Sequence, residues 1–397
     1  MRPAILLLAL AAPLAAQFQV HVLDDDGPAD FTEFQAAHNA AAPGDTILIR
    51  SGTYFPNISD LISKPLAIVA DAGAEVDVSG IWQIAGLDGG DQVLLRGICL
   101  CSDGFGVQGS LEFDASSDAS RVWVEDVRAD HAEAGSAGSI ALVRSELDSI
   151  LVGPAFRTFD SDAILLDCTL SAGVTFDGFV CPKSGFALPG SRGSAGMRVA
   201  GDSEVFASTS LVEGGPGGEG AEGPPCSDGG DGGPGIEQID PRTTIRAQDV
   251  DAVGGPGGAG GTGCADGLPG PAQEGDVTAV PGTLRRLTSN APVREGELLS
   301  LVIEAGPGET ALLFVSGVQD HEYVPSLRGA WMLGYPFFLL LQAEVPAAGR
   351  LGFSATVPEL GPGVEALPVY FTLVVLTPEG AKRAGGSTAS VLLDAGV

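Results

Sequence analysis

The sequence predicts an all-β protein, a parallel β-helix solenoid opened by a capping helix and followed by a smaller β-sandwich domain. Three observations carry this expectation. A short aliphatic strand recurs along the first two thirds of the chain, separated by Gly, Ser and Asp rather than by segments of 3.6-residue periodicity. Short alternating strands with Pro/Gly/Glu turns crowd the segment 283–397. The chain of 397 residues is strongly acidic, with 51 acidic against 20 basic side chains and a net charge of −31, yet it has a mean hydropathy of +0.24 and is 44% hydrophobic. Such a chain has enough apolar surface to fold and must keep its charge on an outer face. The acidity argues against nucleic-acid partners, which need a cationic footprint, and against anionic membrane surfaces.

In chain order, Met1-Arg2-Pro3 precedes an apolar run from Ala4 to Ala16, with small residues at Ala15 and Ala16. These are the parts of a secretory signal over 1–16, with cleavage expected before Gln17. No segment reaches the roughly 18 uninterrupted apolar residues of a membrane span. The expected address is therefore secreted or cell-surface. Six cysteines (Cys99, Cys101, Cys168, Cys181, Cys226 and Cys264) fit an oxidising compartment, and their spacing does not fit zinc. Asn57-Ile58-Ser59 is a glycosylation sequon, of consequence only in a eukaryotic host.

From Asp30 to Ala41 the spacing of Phe31, Phe34 and Ala37-His38 predicts an amphipathic helix, ended by Pro43-Gly44-Asp45. Thr46-Ile47-Leu48-Ile49 follows as a strand and Ser51-Gly52-Thr53-Tyr54 as a turn. A helix here would cover the open end of a solenoid, which otherwise exposes core and strand edge.

The recurring strand is Val93–Gly97, then Val122–Asp126, Ile164–Cys168, Val205–Thr209 and Ile245–Asp249, at intervals of 29, 42, 41 and 40 residues. One such unit cannot bury its apolar side chains alone. Stacked coils would place Val93, Val122, Ile164, Val205 and Ile245 in one inward ladder and Leu95, Val124, Leu166, Ala207 and Ala247 in another. A β-propeller has similar periods but needs four strands per blade, more than are present.

The N-terminal run, an Ala-Ala pair on a helix followed by a Pro-Gly-Asp-Thr-Ile strand and a Gly-Thr-Tyr turn, resembles the opening of the pectin lyase-like, right-handed parallel β-helix superfamily. The likeness spans residues 20 to about 282 and makes 17–282 the solenoid. It implies a right-handed β-helix and leaves activity open, because that superfamily includes lyases, hydrolases, adhesins and proteins without known activity.

Two glycine-rich loops, 214–235 and 254–272, keep a Gly-X-Y register: Gly214, Gly217, Gly220 and Gly223, resuming at Gly229, Gly232 and Gly235, then Gly254, Gly257, Gly260 and Gly263. A collagen triple helix requires this spacing. So do polyglycine or polyproline II segments packed side by side where successive coils leave at one point, and that reading suits short runs inside a folded repeat better. A disordered linker is the bland alternative. Cys226 and Cys264 hold similar places in the two loops. Stacking would bring them to about one inter-strand spacing, about 4.8 Å, within disulfide reach. Cys226–Cys264 is therefore expected as a bridge, Cys168–Cys181 as a second, and Cys99 with Cys101 as a pair or free.

After Pro281-Gly282, strands are expected at Leu298–Ile303, Ala311–Val315, Phe337–Leu341, Leu351–Val357, Val369–Leu376 and Ser390–Leu393, and the longer apolar run Trp331–Leu341 reads as core strand. The segment is compositionally similar to C-terminal modules of exported repeat proteins of high-GC bacteria. It would serve surface retention or sorting, or cap the solenoid.

The chemistry is sparse. By stacking, Arg96, Glu125 and Asp167 share an outward position on three coils, with Arg128, Arg144, Asp160 and Asp162 nearby in sequence. Leu94, Trp123, Leu165, Phe206 and Arg246 form the other outward row. Aromatic platforms beside carboxylates and Arg suit sugar rings, so Trp123, Phe206, Arg96, Glu125, Asp167 and Arg246 are candidate ligand-binding residues. A solvated charge ladder and a face covered by the loops or the C-terminal domain are the alternatives. No motif supports a catalytic residue. Asp228 and Asp231, and Asp24-Asp25-Asp26 upstream, are candidate Ca²⁺ ligands, and no other cofactor is expected. The leading expectation is a non-catalytic exported protein with a binding or structural role at the cell surface or matrix, in contact with polysaccharide or surface proteins. The alternative is a polysaccharide lyase or glycoside hydrolase on the same fold.

Overall fold

The computed structural model describes residues 18–55, 59–100, 109–114, 119–136, 138–150, 153–180, 186–223 and 225–397. The expected leader 1–16, Gln17, Cys101, Cys181 and the Asn57-Ile58 part of the sequon lie outside the described residues.

From Val20 to Ala279 the chain visits three long sheets in turn, coil after coil. The first sheet has ten strands and the second and third have eight each, and every pairing between coils is parallel. One turn illustrates the path: Arg121–Glu125 in the first sheet, Arg128–Ala129 in the second, His131–Gly135 in the third, then Ser139–Val143 back in the first. This is the architecture of a parallel β solenoid. A single continuous core fills it, built from inward side chains of all three sheets, including Val93, Leu95, Val122, Val124, Ile140, Leu142, Val205 and Ala207.

The register corrects the predicted ladders. The 42-residue interval between Val122 and Ile164 contains two coils, because Ser139–Val143 is a short turn of its own. Ile140 pairs with Ala163 and Ala141 with Ile164, so Ala163 and Leu165 face the core while Ile164 and Leu166 face outward. The hidden coil moves the strand by one residue, and a one-residue slip exchanges the faces of every side chain.

Each strand of the first sheet from Gln92 onward ends in one residue of left-handed backbone before the second sheet begins. The row is Gly97, Asp126, Arg144, Asp167, Thr209 and Asp249, with φ between 50° and 74°. Asp is among the residues that tolerate this region, which fits its three occurrences in the row.

The N-terminal helix is Phe34–Ala40, shorter than predicted, because Phe31 is taken up by a bridge to Leu23. Phe34 stacks on Trp82 with ring centroids 4.5 Å apart, and Phe34, Ala37 and Ala41 join the solenoid core at its open end.

The C-terminal region contains a three-stranded sheet (Arg286–Ser289, Leu298–Glu304, Arg350–Thr356) and a five-stranded sheet that includes Thr310–Ser316, Phe337–Glu344, Ala366–Leu376 and Lys382–Leu393. They enclose a core of Leu301, Ile303, Leu313, Val315, Phe371 and Leu373, as in a sandwich. The predicted strand Phe337–Leu341 lies within Phe337–Glu344, whereas the longer apolar run Trp331–Leu341 is divided. Gly329–Leu333 pairs with Gln319–Val324 as a separate hairpin, and Phe337–Glu344 is a strand of the larger sheet.

Candidate functional site

The outward row of the first sheet is where the sequence placed an aromatic platform. The structure lays the C-terminal region over it. Leu94, Trp123, Ala141, Ile164 and Phe206 form one buried cluster with Ala330, Met332, Tyr370, Ala389, Val391 and Leu393. Trp123 and Phe206 are 0% and 1% exposed. The Trp123 ring lies 5.3 Å from Tyr370 and the Phe206 ring 5.0 Å from Tyr323. The Val369-to-Val375 strand explains why: Val369, Phe371, Leu373 and Val375 turn into the sandwich core, and Tyr370 turns toward the solenoid. Its uninterrupted buried run, Thr372 included, is that of a strand buried on both faces. Trp123 is thus an interior residue, and Phe206, also buried, borders a cavity of about 190 Å³ with Asp162, Glu204 and Tyr323.

Glu125 and Arg96 belong to the same contact. Glu125 is fully buried and collects donors from both regions. Its Oε2 accepts from Trp123 Nε1 at 2.7 Å and from the Ala389 N–H at 2.7 Å. Its Oε1 accepts from Thr388 Oγ1 at 2.6 Å, from Arg96 at 3.1 Å and from Arg144. Arg96 continues across the boundary to Ser289 Oγ and Ser289 O and to the Ala389 carbonyl. Both arginines also meet Asp126, which balances two cations with two carboxylates. Burial works against the Arg144 charge, but Glu125 and Asp126 outweigh it and raise its pKa. Every oxygen of Glu125 is occupied, as a buried carboxylate requires. The expected solvated charge ladder is here a satisfied ionic staple.

Asp167 is not in the row of Arg96 and Glu125. Because of the hidden coil, Leu166 stands opposite Val143 and Asp167 falls in the left-handed corner row, where it pairs with Arg286 at 2.6 Å. Arg246 sits at the rim, 4.6 Å above the Tyr323 ring and paired with Glu204. The interface continues through His321, whose Nδ1 shares a 2.8 Å hydrogen bond with Ser139 Oγ and whose Nε2 faces Gln319. Burial, with help from Arg121, holds the His321 pKa down to about 3, so the ring is neutral at pH 7.

The glycine-rich loops form ordered structure. Segments 173–178, 189–196, 214–221, 227–235, 254–261 and 265–272 lie side by side, leaving three successive coils between the second and third sheets. Hydrogen bonds repeat every third residue: Gly230 N–H to Gly218 O at 2.8 Å and Gly233 to Gly215 at 2.9 Å, then Gly258 to Gly230 and Gly255 to Gly233, both at 2.8 Å. Those neighbours are antiparallel, whereas Gly214, Gly217 and Gly220 donate to Val253, Pro256 and Ala259 of a parallel one. A collagen helix has only parallel strands, so this is a polyglycine-type bundle. A Cβ on Gly218 would sit 2.1 Å from Phe176 O, and one on Gly255 would sit 2.0 Å from Gly215 O.

Cys226 and Cys264 are bonded, with Cα atoms 6.0 Å apart, as the loop register predicts. The expected Cys168–Cys181 bridge is not formed. Cys168 carries a free, buried thiol, which burial raises to about 12. Its Sγ approaches Leu142 O and Leu166 O, and the equivalent residues of neighbouring coils are serines, Ser145 bonding Val143 O and Ser210 bonding Ser208 O. Cys168 is thus a member of an internal hydroxyl-like ladder and points away from solvent. Cys99 is disulfide-bonded. Asp228 and Asp231 are exposed, and each uses Oδ1 to accept a neighbouring backbone N–H, from Ala265 at 2.9 Å and Leu268 at 2.7 Å. Their acidity stitches the bundle.

What stays open is elsewhere. A groove of about 440 Å³ runs along the corner between the first and second sheets, lined by Glu75, Asp77, Asp126, Arg128, Arg144 and Glu146 among others. Arg128 and Glu146 pair at 3.0 Å within it, and Asp126 holds Arg144. A cavity of about 240 Å³ beside the N-terminal helix is lined by Asp25, Glu33 and Asp60. Sequence reasoning passed over Glu75, Asp77, Glu146, Glu33 and Asp60. They sit on turns or on strands of three or four residues, where nothing in a linear reading aligns one coil with the next. Among the described residues, no helix is long and apolar enough to cross a membrane. No protein-family model matches the chain, and no curated protein matches it.

Proposed function

We propose that the protein is an exported, non-catalytic right-handed parallel β-helix of the pectin lyase-like kind, with a binding or structural role at the cell surface or matrix. One observation carries this reading. The residues best suited to chemistry, Glu125 with Arg96, Arg144 and Trp123, are spent holding the C-terminal region against the solenoid. On this reading the C-terminal region is an integral cover of one solenoid flank. The disulfide in the glycine bundle supports an oxidising, extracellular address. The exposed charged corner groove is the surface offered to polysaccharide or protein.

The test is a panel of acidic and neutral polysaccharides, with and without Ca²⁺, scored for both retention and cleavage. Retention without turnover is expected; turnover overturns the reading. A lyase or hydrolase is the second reading. It is favoured by a groove in which carboxylates and arginine meet in the open, Glu75, Asp77 and Glu146 with Arg128. Any cleavage should then vanish in Arg128→Ala or Asp77→Asn.

A further inference from the structure

The C-terminal sandwich stops, on one side, in two strands that each lack an outer neighbour. Phe337–Glu344 closes the five-stranded sheet and pairs only with Thr310–Ser316. Arg350–Thr356 closes the three-stranded sheet and pairs only with Leu298–Glu304. Among the described residues, no backbone hydrogen bond reaches the outer side of either strand. The two strands are consecutive, and their inward side chains Phe338, Leu341, Leu351 and Phe353 reach the sandwich core yet stay only partly buried. On the outer face Phe337 and Leu339 are 41% and 45% exposed, and Tyr335 beside them 86%. Natural edge strands are commonly guarded by charge. Here the sequence does the reverse: between Gly329 and Pro358 only Glu344 and Arg350 are charged, for a net of zero, in a chain that is 18% charged with a net of −31.

We propose that this double edge is the contact between two copies of the chain, related by a two-fold axis, with Arg350–Thr356 pairing antiparallel to its own copy. Charge selects the occupant. Two molecules of net −31 repel each other over most of their surface, and this neutral apolar strip is where a second copy approaches at least cost. An antiparallel edge is self-complementary about a two-fold axis, and because both sheets end on the same side, one axis serves both. Glu344 and Arg350 lie at one end of the strip, next to the connecting turn, and so fall at the rim of the contact. The two strands divide the work. Leu340 is an extra residue in the first edge, since Phe314 stands opposite Leu339 and Leu313 opposite Leu341, and such a bulge blunts backbone pairing. Arg350–Thr356 is regular along all seven of its pairs, and a Cβ on Gly352 in its middle would meet nothing. It supplies the ladder, and Tyr335, Phe337 and Leu339 supply apolar surface beside it. An edge about 24 Å long and about 20 Å across offers roughly 500 Å² a side, the scale of weak specific interfaces.

Sedimentation velocity of the full chain, from about 1 to about 200 µM in about 0.15 M NaCl, reads the association directly. A reversible monomer–dimer equilibrium is expected, with a Kd of roughly 1–100 µM. Leu339→Glu and Gly352→Asp each bring two like charges together across the axis and should raise that Kd at least about tenfold. Both positions are exposed, so the melting temperature should hold, and either variant decides the matter should the other misfold. Leu268→Glu, on the glycine bundle and 69% exposed, should leave the Kd unchanged. Three outcomes overturn the proposal: a monomer throughout, which leaves the edge to a strand of another protein; a dimer undiminished in both edge variants; or growth past the dimer, which a closed two-fold contact forbids. None of them bears on what the corner groove binds.

Discussion

The cover on the first sheet and the glycine bundle are two ways of joining chain segments, and they are opposites. The cover is made of side chains: Trp123 between Tyr370 and His321, and Glu125 with five donors. The bundle is made of backbone, with N–H to C=O bonds every third residue and glycine at most points where two segments meet. The first joint fails when atoms are removed, and the second when they are added. Both sit on the same solenoid, one flank apart, so a substitution series can be read against either without changing the scaffold.

The largest loss should come from the cover. Glu125→Ala breaks the buried network and leaves Arg96 and Arg144 sharing Asp126 alone, which general experience with broken buried pairs puts at about 3–5 kcal/mol. Trp123→Ala removes the largest ring of the interface, at a similar cost of about 3–5 kcal/mol. Denaturant melts should show either variant releasing the C-terminal region before the solenoid. A single unchanged transition would mean the two regions do not depend on this contact.

Next is the strap of the bundle. Cys226→Ser with Cys264→Ser opens a loop of sequence separation 38, worth about 4 kcal/mol if the chain-entropy account holds. The loss should appear as local protease sensitivity within 214–272, with the cover intact. Gly218→Ala should cost about 1–3 kcal/mol by overpacking, since its Cβ meets a backbone oxygen that cannot step aside. Trp123→Ala and Gly218→Ala thus remove and add atoms to the same effect, and equal tolerance of both would abolish the contrast.

Acid separates the joints further. His321 is neutral in the folded cover with its pKa held near 3, whereas the unfolded ring titrates near its ordinary 6.5. The unfolded state therefore binds the extra proton as pH falls through this window. The stability contributed is complete above about pH 6.5 and drains away toward pH 3. Melting temperature against pH should fall more steeply for the wild type than for His321→Gln. The bundle lacks a histidine and should not share that difference. The smallest effect is expected at Cys168→Ser, within about 1 kcal/mol, because Ser145 and Ser210 make the same bond on neighbouring coils.

The solenoid was legible in the sequence because inward aliphatic side chains recur in register, and Cys226–Cys264 because glycine spacing marks equivalent points of two loops. The coil Ser139–Val143 was not, since its Ser-Ile-Ala-Leu-Val run sits inside an interval that matches its 41- and 40-residue neighbours in length. The fate of Trp123 and Glu125 was hidden for another reason. A strand pattern distinguishes inward from outward, and whether an outward face meets water or Tyr370 depends on chain more than 200 residues away. Asp60 escaped notice because an acidic residue in a loop-flanked four-residue strand has no linear signature of burial.

The triplet bonding of the glycine hairpins has an evolutionary consequence. Adding or deleting one Gly-Gly-X unit in each arm lengthens or shortens a hairpin by one bonding step and returns every remaining donor to an equivalent acceptor. The coil beneath is untouched, because both ends of each excursion stay fixed between the second and third sheets. Length in this part of the molecule is therefore a quantity that can drift by whole triplets at little cost, while a single inserted residue would put every Cβ into a neighbouring backbone. Variants of this protein should differ there in multiples of three.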